Sequence, residues 1–237
     1  TTRANGATYN SAFTTQPVVE VRDAGNNKVT TATNTVTATL SSGTVVGTGN
    51  PTLTAVGSGG VASFSGLGVS GAPSSLAVTV TYSSGSLTTT SDSITLSKAD
   101  QTVTFADPAH RAWSSTAFAV APTSSAGLTV AISSSTTPIC TASGLNITMV
   151  SVGTCTIVAS QSGNDFYNAA SSVTQSFVIS QASQTITASN FANRSWTPTT
   201  SGISSAATAS SGLTVSWSST TTDVCTVTGT TLALVSS

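Results

Sequence analysis

The sequence is poor in charged residues. Its 237 residues include six Lys or Arg and seven Asp or Glu, and the formal net charge is −1 at pH 7. Proteins that bind nucleic acid neutralise phosphates with clustered Lys and Arg side chains, and a chain with so few basic residues offers no such surface. We therefore expect no nucleic-acid partner.

Residues that carry out acid–base chemistry are also scarce. The sequence has a single histidine, His110, with Asp107 nearby. A nucleophilic triad needs such a base beside a Ser or Cys, but no GxSxG motif accompanies it. A second copy of the surrounding repeat has Asn193 where His110 stands in the first. We predict no catalytic residue and no enzymatic activity.

Metal-binding motifs are missing as well. The sequence contains no CxxC pair and no DxDxDG loop, and its only Glu is Glu20. Zinc and calcium sites need such clusters of ligands. We expect no metal and no cofactor, the alternative being an ion at a module junction near Asp100 and Asp107.

Long apolar runs are absent too. No stretch approaches 18 consecutive apolar residues, which predicts that no membrane span lies in this segment. The chain opens at Thr1 without an apolar run, unlike a signal peptide. We expect the numbering to describe a mature or excised piece of a protein.

Short alternating segments fill the sequence instead. About 90 of the 237 residues are Ser or Thr. Apolar residues alternate with them, as at Val36, Ala38 and Leu40, at Leu76 to Tyr82, and at Leu128 to Ile132. Each run is bounded by Gly, Ser, Asn or Pro, which is typical of antiparallel strands with one buried face. The pattern predicts an all-β protein.

An internal repeat organises the second half of the chain. QTVTF at Gln101 recurs as QTITA at Gln184, and Trp113 recurs as Trp196, both at a spacing of 83 residues. GLTV at Gly127 recurs at Gly212, and Cys140 recurs as Cys225, at a spacing of 85. The repeat predicts modules at 1–98, 99–181 and 182–237.

The last module is predicted to be incomplete. The counterpart of Cys155 falls three residues beyond Ser237. Either the natural chain continues, or another chain supplies the missing strands, as in donor-strand completion.

Two stretches resemble families of bacterial Ig-like domains. FTTQPVVEVRDAGNN at Phe13, VTATL at Val36 and GVASFSGL at Gly60 resemble Ig-like repeats of large bacterial surface proteins. In that family another strand usually precedes the segment at Ala4, and the resemblance therefore implies that this module is clipped at its start. QTVTFADP at Gln101, ICTASG at Ile139 and VGTCTIVASQSGNDFYNAA at Val152 resemble a second such family. Both resemblances imply tandem immunoglobulin-like antiparallel β-sandwiches of seven or eight strands, without catalytic residues.

The cysteines fit this interpretation. Cys140 and Cys155 are fifteen residues apart, and we predict a disulfide, which would add about 3 kcal/mol in the chain-entropy model. A disulfide places the protein outside the reducing cytosol. Cys225 is then predicted to be an unpaired or intermolecular thiol.

The tryptophans have two interpretations. Trp113 and Trp196 are possible binding aromatics, since exposed Trp side chains stack on sugar rings, although packing in or between modules is favoured. For Trp217, on an alternating strand, core packing is favoured more strongly.

Together these patterns predict a non-catalytic array of structural modules at a bacterial cell surface or outside the cell. It would act as a stalk, a spacer, or a filament or adhesin segment. Its partners would be neighbouring modules of a longer chain. Self-association into filaments is a further interpretation, because uncharged strand edges do not repel a strand of another molecule. The alternative is a carbohydrate- or surface-binding module of a secreted enzyme or phage virion, with glycans as partners.

Overall fold

A computed structural model shows that the protein is all-β, as predicted. It describes residues 2–71, 73–90, 93–190, 203–204 and 206–235, with only the backbone of 203–204. In this part of the chain no helix is long and apolar enough to cross a membrane. The tandem immunoglobulin-like arrangement stays a prediction.

The chain divides into two compact units. One comprises Thr1–Ala109 and Ser115–Val178, and the other comprises His110–Ser114 and Ile179–Ser237. The module boundaries inferred from the repeat stay predictions.

The first 98 residues form short antiparallel sheets. Their strands are β1 (Ser11–Ala12), β2 (Val18–Glu20), β3 (Thr35–Leu40), β4 (Thr44–Val45), β5 (Thr52–Val56), β6 (Val61–Ser63), β7 (Gly68–Ser70), β8 (Ala77–Val78), β9 (Val80–Ser84), β10 (Leu87–Thr90) and β11 (Ile94–Thr95). The sheet orders are β10-β9-β3-β5, β1-β7-β4, β2-β6 and β11-β8. A turn follows Arg22, since Arg22 and Lys28 form a bridge and Asn26 has a positive φ of 64°.

One apolar core joins these sheets. Along β3, burial alternates so that Val36, Ala38 and Leu40 face inwards, and the intervening threonines face outwards. Period-two alternation thus sorts the side chains of the strand between core and solvent. Buried side chains from several sheets complete the cluster, including Phe13, Val19, Val45, Ala62, Phe64, Leu67, Val69, Val78, Val80, Tyr82 and Leu96.

Residues 99–181 contain the longest strands. They are β12 (Val103–Thr104), β13 (Arg111–Ala112), β14 (Phe118–Ala119), β15 (Thr123–Ser124), β16 (Ala131–Ser134), β17 (Cys140–Ser143), β18 (Asn146–Met149), β19 (Gly153–Gln161) and β20 (Ala170–Ser180). The sheet orders are β13-β20-β19-β16, β14-β18-β17 and β12-β15. The strand expected at Leu128 to Ile132 is confirmed only from Ala131, because its ladder with β19 begins where Ala131 faces Ser160.

The described part of residues 182–237 has shorter elements. They are β21 (Ile186–Ala188), β22 (Ile203–Ser204), β23 (Ala207–Ala209), β24 (Cys225–Thr228) and β25 (Thr231–Leu234). β21 pairs with β23, and β22-β25-β24 form a three-stranded antiparallel sheet.

Candidate functional site

A disulfide links two sheets of residues 99–181. Cys140 lies on β17 and Cys155 on β19, and these strands belong to different sheets. The structure joins them in a disulfide with a Cα–Cα distance of 5.7 Å, and both residues are fully buried. The bond therefore fastens one sheet to the other inside the apolar core.

A short turn before Cys140 positions its sulfur. The amide of Cys140 donates to the carbonyl of Thr136 at 3.0 Å. The hydroxyl of Ser134 lies 3.2 Å from the Cys140 sulfur and must be the donor, because a disulfide sulfur has no proton. Thr136 also accepts a hydrogen bond from the amide of Thr156 on β19, at 2.9 Å. The turn thus holds Cys140 next to the strand that carries Cys155.

Cys225 lies in the same kind of turn but forms no disulfide in the described part of the chain. Its amide donates to the carbonyl of Thr221 at 2.9 Å, and the hydroxyl of Ser219 lies 3.2 Å from its sulfur. The side chain is half-buried. The local geometry that serves Cys140 is therefore also built around Cys225.

Of the two candidate binding tryptophans, one is described. Trp113 follows β13, its amide donates to the carbonyl of Ser180 at 2.9 Å, and its side chain is 41% exposed. A ring with this exposure can present a face to a ligand. Trp196 lies outside the described residues, as does the Asn193 that replaces His110. Trp217 is half-buried rather than fully enclosed.

The residues considered for catalysis and metal binding are on the surface. His110 and Asp107 are both exposed. Among the described residues, no group of three or more His, Cys, Asp or Glu side chains is placed to hold a metal ion.

An aromatic contact was missed by the sequence reasoning. Phe166 and Tyr167, which lie in the long motif at Val152, pack on Tyr9 near the start of the chain. The ring centroids of Tyr9 and Phe166 are 4.9 Å apart, and those of Tyr9 and Tyr167 are 5.3 Å apart in an edge-on arrangement. No local signal marks Tyr9, because its partners are more than 150 positions away in the sequence.

A buried glutamine connects the strands next to this contact. Gln101 is 7% exposed, and its amide nitrogen donates to the Gln161 side-chain oxygen at 2.6 Å and to the Asn168 carbonyl at 2.7 Å. Its own side-chain oxygen accepts from the Ser124 hydroxyl at 2.6 Å. Because its donors and acceptor are satisfied, the polar group can be buried without a large desolvation penalty.

A cleft of about 200 Å³ opens between β2 and β10, and its lining includes Val19, Val36 and Leu87. Tyr82 also lines this cleft, and its buried hydroxyl has no hydrogen-bond partner among the described residues. Burial raises the pKa of Tyr82 to about 12, because the phenolate would lose its hydration.

Charged side chains interact mainly at the surface. The Arg22 guanidinium donates to Glu20 at 3.1 Å and thereby lowers the pKa of that carboxyl group. Hydrogen bonds from Asn27 likewise lower the pKa of Asp23. Since water screens exposed pairs, these contacts add little to stability.

The comparisons with known proteins give no family. No family model matches the sequence. No curated protein matches it either.

Two solved structures illustrate what the fold is similar to. The C-terminal 282-residue fragment of intimin, in complex with the intimin-binding domain of the translocated intimin receptor, is 17% identical, with a TM-score of 0.27. The match covers 72% of this chain and 58% of that fragment. The S-layer protein rSbsC(31-844) is also 17% identical with a TM-score of 0.27, and the match covers 94% of this chain and 31% of that one. Likenesses this weak support no statement about activity or partners.

Proposed function

We propose that this chain is part of a non-catalytic, extracellular array of immunoglobulin-like β-sandwich modules, with modules at 1–98, 99–181 and 182–237. In this proposal it serves as a stalk, a spacer, or a filament or adhesin segment of a bacterial surface protein. Its mechanism is mechanical: each module keeps its shape and transmits load to the next.

The observation that carries this proposal is the buried link between Cys140 and Cys155 across two sheets. When a module is pulled, its sheets have to slide apart before the chain can extend. The disulfide prevents the chain between Cys140 and Cys155 from extending and keeps the two sheets joined. A disulfide persists in oxidising surroundings. An exposed surface rich in hydroxyl groups, as on the outer faces of β3 and β20, keeps such sheets solvated without charge.

Force spectroscopy tests the mechanical role. The full chain, held between marker domains, should unfold in discrete steps, and reduction should lengthen one step. The residues between Cys140 and Cys155 span 15 positions, so about 50 Å of extra chain should be released.

The variant Cys140→Ala with Cys155→Ala should show the longer step without reductant. Cys225→Ala is the matched control and should leave the step unchanged. Extension without any discrete step would overturn the mechanical proposal.

Self-association is the part of the proposal that would make a filament. β10 and β5 are the two edges of their sheet, Leu87 is 62% exposed on β10, and Val56 is 74% exposed on β5. Neither strand carries a charged residue to repel a second strand. Wild-type protein should associate with rising concentration in sedimentation velocity, and Leu87→Lys should reduce the association. Equal behaviour of wild type and variant would remove β10 from the proposal.

Glycan binding is the second candidate, favoured by the exposed ring of Trp113. On a glycan array Trp113→Ala and Trp196→Ala should lose signal while keeping the melting temperature, because a stacking ring contributes to binding rather than to the core. Trp217→Ala is the control, since its half-buried ring should affect stability instead. Absence of any glycan signal from the wild-type protein would discard this candidate.

A further inference from the structure

The contact between Tyr9 and the Phe166–Tyr167 pair belongs to a larger set of interactions, here called the joint: Tyr9, residues 97–101 and residues 163–168. Tyr9 is 7% exposed, and its hydroxyl donates to the carbonyl of Gly71. Tyr9 is therefore hydrogen-bonded within residues 1–98, while its ring contacts the rings of Phe166 and Tyr167 in residues 99–181. Aromatic rings placed at these distances attract one another beyond the effect of burial alone.

The backbone passes through the joint without a free linker. The amide of Ser97 donates to the carbonyl of Ala7 at 2.8 Å. Two residues later, the amide of Ala99 donates to the carbonyl of Phe166 at 2.9 Å. The carbonyl of Ala99 accepts a hydrogen bond from the amide of Asn168, also at 2.9 Å. The segment thus changes hydrogen-bond partners from residues 7–9 to residues 166–168 within two residues, with Lys98 alone between them.

Polar side chains brace the same segment. The Lys98 ammonium donates to the carbonyl of Asn164 at 2.7 Å, and the Asn168 side-chain amide donates to Asp100 at 2.8 Å. Both bonds join the segment 98–100 to residues 164–168.

The loop that carries Phe166 and Tyr167, here called the aromatic corner, is held in place by hydrogen bonds between its own residues. The side-chain oxygen of Asn164 accepts from the amides of Phe166 and Tyr167, both at 2.9 Å. Gly163 has a positive φ of 76°, and a Cβ there would overlap the Tyr167 carbonyl oxygen. The rings are therefore presented by a tight loop whose own hydrogen bonds do not involve Tyr9.

We propose that the Phe166–Tyr167 corner is a docking surface for the preceding module, that Tyr9 is the residue it binds, and that the joint connects residues 1–98 stiffly to residues 99–109 and 115–178. The inference rests on the proposed array function, since it assigns the partner of this corner within the array. A load or a direction set at one module is then passed to the next without a flexible connection.

Limited proteolysis of the full chain tests the joint, because Lys98–Ala99 is a tryptic site inside it. Trypsin needs the Lys98 side chain and several flanking residues in an extended form, and the joint engages all of them. In wild-type protein cleavage at Lys98 should be slow, and cleavage at Lys28, in an exposed turn, should be fast. Tyr9→Ala should accelerate cleavage at Lys98 by about tenfold or more by raising the population of the open joint, with the rate at Lys28 unchanged.

Two further variants keep the test decisive. Phe166→Ala removes the other side of the contact and should reproduce the acceleration, and the double variant should cleave about as fast as either single one. Val36→Ala, in the core of residues 1–98 and 2% exposed, is the control for general loss of stability and should accelerate both sites together.

Unchanged cleavage at Lys98 in both Tyr9→Ala and Phe166→Ala would overturn the joint, as would a rise shared equally with Lys28. These rates are independent of the force measurement. If Lys98 is protected but the chain extends without discrete unfolding steps, the array proposal is wrong and the joint stands. If the chain unfolds in discrete steps but Lys98 is not protected, the joint is wrong and the array proposal stands.

Discussion

Residues 99–181 and 182–237 carry two copies of one repeat, and the structure gives them a matching hairpin but not the same burial. In the first copy Phe118 faces Ile147 and Cys140 faces Met149; in the second Ile203 faces Leu232 and Cys225 faces Leu234, each 85 positions later. The hairpin of β24 and β25 thus has the register of β17 and β18.

Burial differs between the copies. Val103 is 8% exposed, whereas its counterpart Ile186 is 63% exposed. Cys140 is fully buried and Cys225 is half-buried.

The difference coincides with β19. In the first copy β16 is a strand because it pairs with β19 over Ala131 to Ser134. Residues 216–219, the counterpart of β16, form no strand, and no strand within the described residues 206–235 pairs with them. The comparison shows that hairpins follow from nearby residues, whereas a ladder and a buried face require a partner strand from elsewhere in the chain.

Supplying that partner should have the largest effect. The counterpart of Gly153 would directly follow Ser237, so a copy of residues 153–180 can be fused there in register. We expect β24 and β25 to gain amide protection by about a thousandfold or more, since they would become part of a closed core, as measured by hydrogen exchange. The Cys225 thiol should at the same time become unreactive to alkylation.

A fused copy with the cysteine replaced by Ser is the control, and it should gain protection without a disulfide. If the Cys225 thiol still reacted in the cysteine-containing fusion, the two copies would differ for a reason other than pairing with β19.

A matched pair of core substitutions should have the next largest effect. Ile147→Ala should lower the free energy of unfolding of its module by about 2–5 kcal/mol, because Ile147 is fully buried and its removal leaves a cavity. Leu232→Ala, its half-buried counterpart, should cost less than about 1 kcal/mol, because that side chain already meets water. Denaturant titration followed by segment-resolved hydrogen exchange would measure both, and equal losses would contradict the comparison.

The cysteines should give a similar contrast of slightly smaller size. Replacing Cys140 and Cys155 together by Ala should cost about 3 kcal/mol, because a loop of 15 positions is no longer closed in the unfolded chain. Cys225→Ala should change stability by less than about 0.5 kcal/mol, since its thiol closes no loop in the described part of the chain. Thermal unfolding under oxidising conditions would show the difference, which should vanish once reductant is added.

Turn glycines should show the smallest effect and no contrast at all. Gly127 and Gly212 have φ values of 70° and 72°, and a Cβ would meet no atom within 4 Å at either position. Gly127→Ala and Gly212→Ala should therefore each cost about 1 kcal/mol, which is the strain of a left-handed backbone. Unequal costs, measured by the same denaturant titrations, would mean that the turns depend on their surroundings after all.

Much of the fold was predictable because it follows from period-two patterns. The alternation at Val36, Ala38 and Leu40 correctly assigned β3 and its inner face. The alternation at Leu128 to Ile132 predicted a strand that begins three residues before β16 does, because the start of β16 depends on where its pairing with β19 begins.

The candidate site was predictable only in part. The spacing of Cys140 and Cys155, read with the family resemblance, predicted the pair that the structure joins. Nothing in the sequence linked Tyr9 to Phe166, since an aromatic contact over such a separation leaves no periodic trace. The unpartnered hydroxyl of Tyr82 was equally invisible, because burial of a single atom depends on the sheets around it.

The sequence by itself determined that this protein is all-β, that a repeat begins near Ala99, and that few charges cover its surface, because strand alternation, repeat spacing and composition are local or additive properties. Tertiary structure alone decided which faces became buried, which cysteine found a partner, and that Tyr9 packs on Phe166 and Tyr167. Those outcomes depend on strands and rings that are distant in the chain meeting in space, and their free energy is gained only when both partners are present.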